Sequence, residues 1–523
     1  MAVRKSRRSL PVACGIIWLI PGILTALTGA LQYVPADSRL YEDVDLLKTA
    51  GLIQTLPSTS RPWTRAEFCQ LLEEAESLAS GRQLNPAQQT AFKRLRSELT
   101  GRQPVLSLPL EPDTVGLDLF SRAVITPEHQ QVSLGLRCFN QPADRFFFYE
   151  DMEPLVFNPE QARVRDSSGW HNPGVRAVSW RDRLLWQMER AYFGFNLPWL
   201  RLELGRDELV WGPGWRSSVM LSDRAPALDK IQLTLSRRQV KFTSFTALLS
   251  RWNDRHRFLS AQRIECKFGR RLVLGGAMFN VYNWETAWDF SGMLNPLLPL
   301  YFSVANSGHD DNLLVGGDAV LYLPQTKLYA QLLIDNFEFN TRRESPNCLG
   351  FQSGCFWAPP LPFDFRIEYA MVTAFTYYHR LRDIMYENYS VPLGHELGPD
   401  ADRLSARLRF MPATWLNFSI WSDYTRRGYY NRGDYGRLAF DVADTTFLRR
   451  YYRFPAQGYD YVTGELLEEV ERSVRFGPEL EFTPLPELYL QLRAGLNFCQ
   501  NENGAIGVNR TTPELLVRIE YRY

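Results

Sequence analysis

Residues 200–223 read LRLELGRDELVWGPGWRSSVMLSD. In the first half, Leu200, Leu202 and Leu204 point one way while Arg201, Glu203 and Gly205 point the other. That is the two-residue period of a strand with one apolar and one polar face. The period stops at Arg206-Asp207, and Trp211-Gly212-Pro213-Gly214-Trp215 follows. No regular element accommodates that run, because proline removes a donor and glycine frees the backbone. A strand therefore runs into a stiff, aromatic, charged loop. On the residues alone the loop is either a sheet-edge turn with two packed indoles or part of a recognition surface formed by Arg206, Asp207, Trp211 and Trp215.

The same period recurs late in the chain. Leu404, Ala406, Leu408 and Phe410 alternate with Arg403, Ser405, Arg407 and Arg409. Leu515, Val517, Ile519 and Tyr521 alternate with Glu514, Arg518, Glu520 and Arg522. Such strands suit the lipid-facing band and polar lumen of a membrane barrel. They also suit a soluble sandwich. Two features favour the barrel. Arg4, Lys5, Arg7 and Arg8, an apolar Ile16–Leu27 and the small residues Thr28-Gly29-Ala30 read as an export signal. Tyr523 ends the last strand with an aromatic, which addresses a barrel to its insertion machinery. About 410 residues, at about ten per strand plus turns, allow roughly sixteen to eighteen antiparallel strands. In such a lumen Arg206 and Asp207 are expected to lie inside, paired with opposite charges, since an unpaired buried charge is costly.

Residues 37–99 follow a helical period instead. Ser38 is placed to cap a first helix that Gly51 ends. Thr64-Arg65-Ala66-Glu67 is a capping box, and Asn85-Pro86 opens a third helix. Three amphipathic helices of this size cannot bury their apolar faces alone, and the periplasmic mouth is the expected partner. The chain thus divides into a signal peptide over 1–30, a helical periplasmic segment plugging the barrel over 31–110, and an all-β transmembrane barrel over 111–523.

Three stretches resemble the Wzi family of capsule-assembly outer-membrane β-barrel proteins. They are GRDELVWGPGWRSSVMLSD itself, Gly51-Leu52-Ile53 with Arg61-Pro62-Trp63-Thr64-Arg65, and Gly394-His395-Glu396-Leu397-Gly398-Pro399-Asp400-Ala401-Asp402. The resemblance implies eighteen strands. It also implies a barrel that binds and anchors capsular or extracellular polysaccharide at the cell surface, lectin-like and non-enzymatic. A passive porin or uptake channel is the alternative, and a plugged mouth counts against it.

Basic and acidic side chains number 59 and 58, so no cationic excess exists to neutralise phosphates, and nucleic acid is excluded as a partner. No G-x-S-x-G elbow is present, and no second histidine follows His395-Glu396 at helical spacing. No catalytic residue, cofactor or metal is expected. Asp310-Asp311-Asn312 reads as a solvated turn rather than a calcium loop. Cys348 and Cys355 suit a loop disulfide in an oxidising compartment, with two free thiols as the alternative.

Residues 284–308, 340–362, 379–402 and 426–473 are expected to be long outer loops. They hold Trp284, Trp288 and Trp357, and the cluster Arg426, Arg427, Tyr429 and Tyr430. Flat rings beside forked donors suit a glycan, although aromatic girdles in contact with outer-membrane lipid give the same composition. His395 either hydrogen-bonds sugar hydroxyls or orders its own loop. Protease added to intact cells is expected to leave residues 37–100 uncut. Cleavage there would reverse the assigned orientation.

Overall fold

In the computed structural model each barrel strand pairs with the next, and the last pairs with the first, so the ring has no free edge. The structure describes residues 31–523 except 100–105, 111–112, 127–129, 142–144, 158–183, 253–254, 285–294, 297, 308–310, 337–346, 380, 390, 429–469, 486 and 523. The expected signal peptide and Tyr523 lie outside the described residues.

Eighteen antiparallel strands close the ring. The first nine are β1 (Asp113–Ile125), β2 (Gln130–Gln141), β3 (Phe146–Phe157), β4 (Leu184–Asn196), β5 (Leu200–Asp207), β6 (Leu228–Arg237), β7 (Val240–Trp252), β8 (Arg255–Phe268) and β9 (Leu272–Trp284). The rest are β10 (Asn312–Leu323), β11 (Thr326–Asn336), β12 (Cys348–Trp357), β13 (Phe363–Val372), β14 (Ala401–Ala413), β15 (Leu416–Arg427), β16 (Glu471–Leu485), β17 (Leu488–Gln500) and β18 (Arg510–Arg522). A short strand, Leu106–Leu110, occupies the part of the β1 edge that β18 leaves open.

The alternation read from the sequence becomes two surfaces. Leu202 and Leu204 are exposed on the outside, while Arg201 and Glu203 are buried in the lumen. Leu404, Leu408 and Phe410 face out, and Arg403, Ser405 and Arg409 face in. The inward charges find partners on neighbouring strands. Lys230 pairs with Glu203, Arg409 with Asp364 at 2.6 Å, and Arg263 with Asp318 at 2.7 Å. Outside, an apolar belt is left for lipid.

One end of the barrel has short turns. Arg238 and Gln325 sit in left-handed conformations there, as tight hairpins require. The helices α1 (Leu40–Thr49), α2 (Arg65–Ala79) and α3 (Pro86–Leu99) close this end. Gln325 N donates to Thr49 O at 2.9 Å, and Phe356, Ala358 and Met411 of the wall share one apolar core with Val44, Leu47, Phe68, Leu72 and Leu95. Thr64 and Glu67 form the capping box of α2. At α1 the cap residue is Arg39, and Ser38 Oγ only accepts from Leu40 N at 3.3 Å. Between α1 and α2 the chain rises into the lumen, where Ser60–Arg61 pairs with Val210–Trp211.

Two expectations fail here. Residues 340–362 are not one outer loop, because β12 occupies the middle of the stretch and Trp357 ends it at the short-turn rim, against Phe363. Cys348 and Cys355 are free and stand on that same strand. Seven residues of strand separate them by roughly 23 Å, and an odd spacing puts them on opposite faces, so no disulfide forms.

Thr64→Ala removes one half of the capping box. It is expected to cost about 1 kcal/mol locally, seen as roughly fivefold faster hydrogen exchange at the first-turn amides of α2. Unchanged exchange would show that tertiary packing alone fixes that turn.

Candidate functional site

The Trp-Gly-Pro-Gly-Trp loop is a plug. Gly212 has a φ of +130°, and a Cβ there would lie 2.3 Å from Gln331 Oε1. At Gly214 it would lie 1.9 Å from Ser217 O, so the backbone passes where no side chain fits. Trp211 is buried in the luminal core, its ring 5.2 Å from Phe245 and 5.3 Å from Phe279. Trp211 N donates to Leu221 O at 2.9 Å and Gly212 N to Thr59 O at 3.0 Å. Trp215 is half-buried against Leu56, Tyr322 and Tyr329. The Trp215 and Arg216 amides both donate to Glu368, at 2.6 and 3.1 Å. Sequence reading missed Glu368, which looks like any other polar position of an alternating strand.

Residues 373–400 fold in from the same mouth and lock onto this loop. Tyr377 Oη donates to Val219 O at 2.8 Å and Tyr386 Oη to Met220 O at 2.9 Å. His395 is buried, its Nδ1 accepting from Leu397 N at 3.1 Å. Its Nε2 finds no hydrogen-bond partner among the described residues. His395 therefore orders its loop. Burial pushes its pKa down to about 3. Burial alone would raise the Glu396 carboxyl, but the Arg403 guanidinium overrides it and holds the group at about 2.

Strand parity separates the paired candidates. Arg206 points outward, its Nε 2.8 Å from Asp229 Oδ1, so only Asp207 lies inside the lumen as expected. Asp207 is buried, its Oδ1 accepting from Glu208 N at 2.9 Å. Adjacent residues of a strand cannot share a face, which the expectation for both overlooked. Arg426 likewise points outward, its Nε 2.9 Å from Asp402 Oδ1, with Tyr369 Oη on the same carboxylate at 3.1 Å. Arg427 points inward to Glu471 at 3.3 Å. Tyr429 and Tyr430 lie outside the described residues.

Arg427 lines a polar cavity of about 210 Å³ at the mouth opposite the helices. Arg475, Arg510, Glu471 and Glu502 complete its charges, and Asn497 and Asn503 add amides. Arg510 reaches Glu502 at 3.1 Å. Arg475 and Arg216 share Asp423, each at 3.3 Å. Asn501 and Asn503 adopt left-handed conformations in the β17–β18 turn, and Asn503 N donates to Glu471 Oε2 at 2.9 Å. The sequence signal for this half of the site is the Asn-Glu-Asn-Gly turn at 501–504, which the successive pairing of β15, β16 and β17 brings beside Arg427. A larger cavity of about 300 Å³ lies at the opposite mouth between the helices and the wall. Its arginines are engaged within the protein. Arg137 and Arg190 share Asp151, each at 3.2 Å, and Arg122 meets Glu520 at 3.3 Å. Among the described residues no group of three His, Cys, Asp or Glu is placed to hold a metal ion.

A family model described as capsule assembly protein Wzi matches residues 125–511. The chain belongs to the Wzi capsule-assembly family. Among solved structures it is similar to Wzi of Escherichia coli, described as an outer-membrane protein involved in group 1 capsule assembly and a carbohydrate-binding β-barrel. Identity is 13%, coverage 94% of this chain and 99% of that chain, and the TM-score 0.59. It is also similar to OprD of Pseudomonas aeruginosa, at 8% identity over 79% of this chain and 96% of that one, with a TM-score of 0.43. No curated relative matches the chain. This Wzi-family chain is an outer-membrane β-barrel, and its loops 208–227 and 373–400 enter from the mouth opposite the helices.

His395 and Glu396 act in one direction. His395 has a folded pKa of about 3 against an ordinary 6.5, so the unfolded segment binds the proton more readily. Its contribution is full above about pH 6.5 and is lost as pH falls towards 3. Glu396, at about 2 against 4.5, loses its contribution between those values. Intrinsically corrected hydrogen exchange in residues 373–400 is expected to speed up as pH falls from 7 to 4, and His395→Asn should remove most of that change. Protection that is flat over this range would count against both assignments.

Proposed function

We propose that this barrel is a non-enzymatic, lectin-like anchor that holds capsular or exopolysaccharide at the cell surface. The grip is the extracellular cavity of Arg427, Arg475 and Arg510. The observation that carries this reading is the convergence of three guanidinium forks, two carboxylates and two asparagine amides at the outer mouth, above a lumen filled by residues 52–64, 208–227 and 373–400. Forked donors recognise vicinal hydroxyls and sugar carboxylates in two-point geometry. Family membership and the carbohydrate binding stated for E. coli Wzi support glycan as the ligand. The filled lumen opposes a passive channel. In the same reading residues 1–30 are removed on export, residues 31–110 form the periplasmic plug and residues 111–523 the membrane-embedded barrel.

A long glycan is held by many weak contacts whose effects multiply. Each of Arg427→Ala, Arg475→Ala and Arg510→Ala alone is therefore expected to weaken polysaccharide retention only about threefold, and the triple variant at least about tenfold. Arg426→Ala faces the other way and should leave retention unchanged. Binding of purified protein to the host's own surface polysaccharide reads this out, with heat-modifiable gel mobility as the check on folding. A triple variant that inserts normally and retains polysaccharide fully would remove the site. Retention unaffected by loss of the whole protein, with reduced solute uptake, would favour the channel.

A further inference from the structure

Uncharged polar side chains gather on the outer wall of three adjacent strands. Thr246 of β7, Ser260 and Gln262 of β8, and Asn280 and Tyr282 of β9 point outward, because their neighbours Ala247, Leu259, Ala261, Phe279 and Val281 pack in the luminal core. Yet these outward residues are buried, Asn280 and Tyr282 completely. To either side the belt resumes with exposed Ile231, directly opposite Thr246, and exposed Val315, directly opposite Met278.

What covers them is the chain that leaves β9. Residues 298–307, with the helix α4 (Leu300–Ser307), lie against the outside of the barrel. Gln262 Nε2 donates to Leu298 O at 2.9 Å, and Gln262 Oε1 accepts from Leu300 N at 3.3 Å. Ser260 Oγ stands 2.8 Å from Thr246 Oγ1 and 3.1 Å from Tyr282 Oη. Leu300 and Val304 pack on Phe258, Tyr282, Met278 and Leu313. The other face of α4 presents Tyr301 and Phe302, 57% and 53% exposed.

We propose that α4 is a strap lying in the outer leaflet, so that Tyr301 and Phe302 contact lipid in place of the wall it covers. Three observations meet in that assignment. Hydroxyl and amide groups facing hydrocarbon would be costly unless satisfied and covered; the strap's backbone satisfies Gln262, and its side chains cover Tyr282, whose hydroxyl bonds within the Thr246–Ser260–Tyr282 chain. The strap lies on the extracellular half of β8, level with apolar rows on both sides, so its outer face continues the lipid-facing belt. That outer face is aromatic, with a phenol for the headgroup boundary and a phenyl ring for the chains.

The test uses the full chain in phospholipid vesicles. A ketone-reactive nitroxide is carried at residue 302 by Phe302→p-acetylphenylalanine, which avoids the native cysteines. The same label at Leu408, in the belt, and at Ile506, in an extracellular turn, provides the two references. Collision with membrane-soluble oxygen is expected to exceed collision with a water-soluble nickel chelate at residue 302, as at Leu408. A pattern like that at Ile506 would put α4 in water and overturn the proposal. Exclusion of both reagents would put it under another protein or a second copy, which overturns it equally. Gln262→Leu should sharpen the spectrum at residue 302 while heat-modifiable mobility stays normal. An unaltered spectrum would show that Gln262 does not hold the strap.

Discussion

Glu265 is where wall and plug meet. It faces the lumen from β8, is buried, and accepts hydrogen bonds from Ser58 Oγ at 2.9 Å, Thr59 N at 2.8 Å and Ser60 Oγ. Arg263 stands beside it at 3.5 Å and reaches Thr59 Oγ1 at 2.6 Å and Asp318 at 2.7 Å. An eighteen-stranded ring encloses more space than its own side chains fill. The space therefore holds either water or more of the chain. A carboxylate left there without partners would cost several kcal/mol, and residues 58–60 supply them from a segment with little regular structure of its own. Thr59 O then accepts the Gly212 amide, so the position of residues 58–60 sets that of loop 208–227. Each part of the plug is fixed by the one before it.

That dependence makes the plug eccentric. The apolar luminal cluster joins Trp211, Val219 and Met220 to Phe245, Leu259, Phe279, Leu314 and Leu333, all on β7 to β11. The opposite wall is held by charge instead. Arg216 leans from the plug to Asp423, and Arg493 lies over the Trp421 ring, 3.6 Å from its centroid. The luminal faces of β17 and β18 keep partial exposure. A cavity of polar groups forms at the mouth opposite the helices because the apolar filling stops short of β15 to β18.

The barrel was legible because strand period, lumen charge and lipid band are one signal repeated many times, as in Leu202 and Leu204 against Arg201 and Glu203. The Thr64–Glu67 box was legible because it is local. The site was only half legible. Arg427 stood out, but Arg475 and Arg510 lie on other strands, and only the pairing of β15 through β18 joins them. Arg206 and Arg426 misled, because composition names a residue as charged without saying which way it points. The Cys348–Cys355 pair misled for a related reason. A polar stretch with two cysteines looks like a loop, whereas residues 348–357 alternate buried and exposed along a strand. Trp211 was read as equally packed or binding, and its burial assigns it to packing.

Parity also explains how similar side chains come to face such different surroundings. Arg426 and Arg427 differ by one position, yet one meets the membrane edge and the other the lumen. On the outside two rim arginines are matched by carboxylates on the adjacent strand, Arg206 by Asp229 and Arg426 by Asp402. That arrangement suits a surface where an unmatched charge would border hydrocarbon. Inside the mouth the demand is weaker, because water can reach the groups. Arg427 and Arg510 each touch a carboxylate through one nitrogen only, at 3.3 and 3.1 Å, and five donors per guanidinium leave further N–H groups for a ligand or water. The same residue type thus closes off charge on the membrane side and offers it on the luminal side, and the two-residue period of the strand decides which.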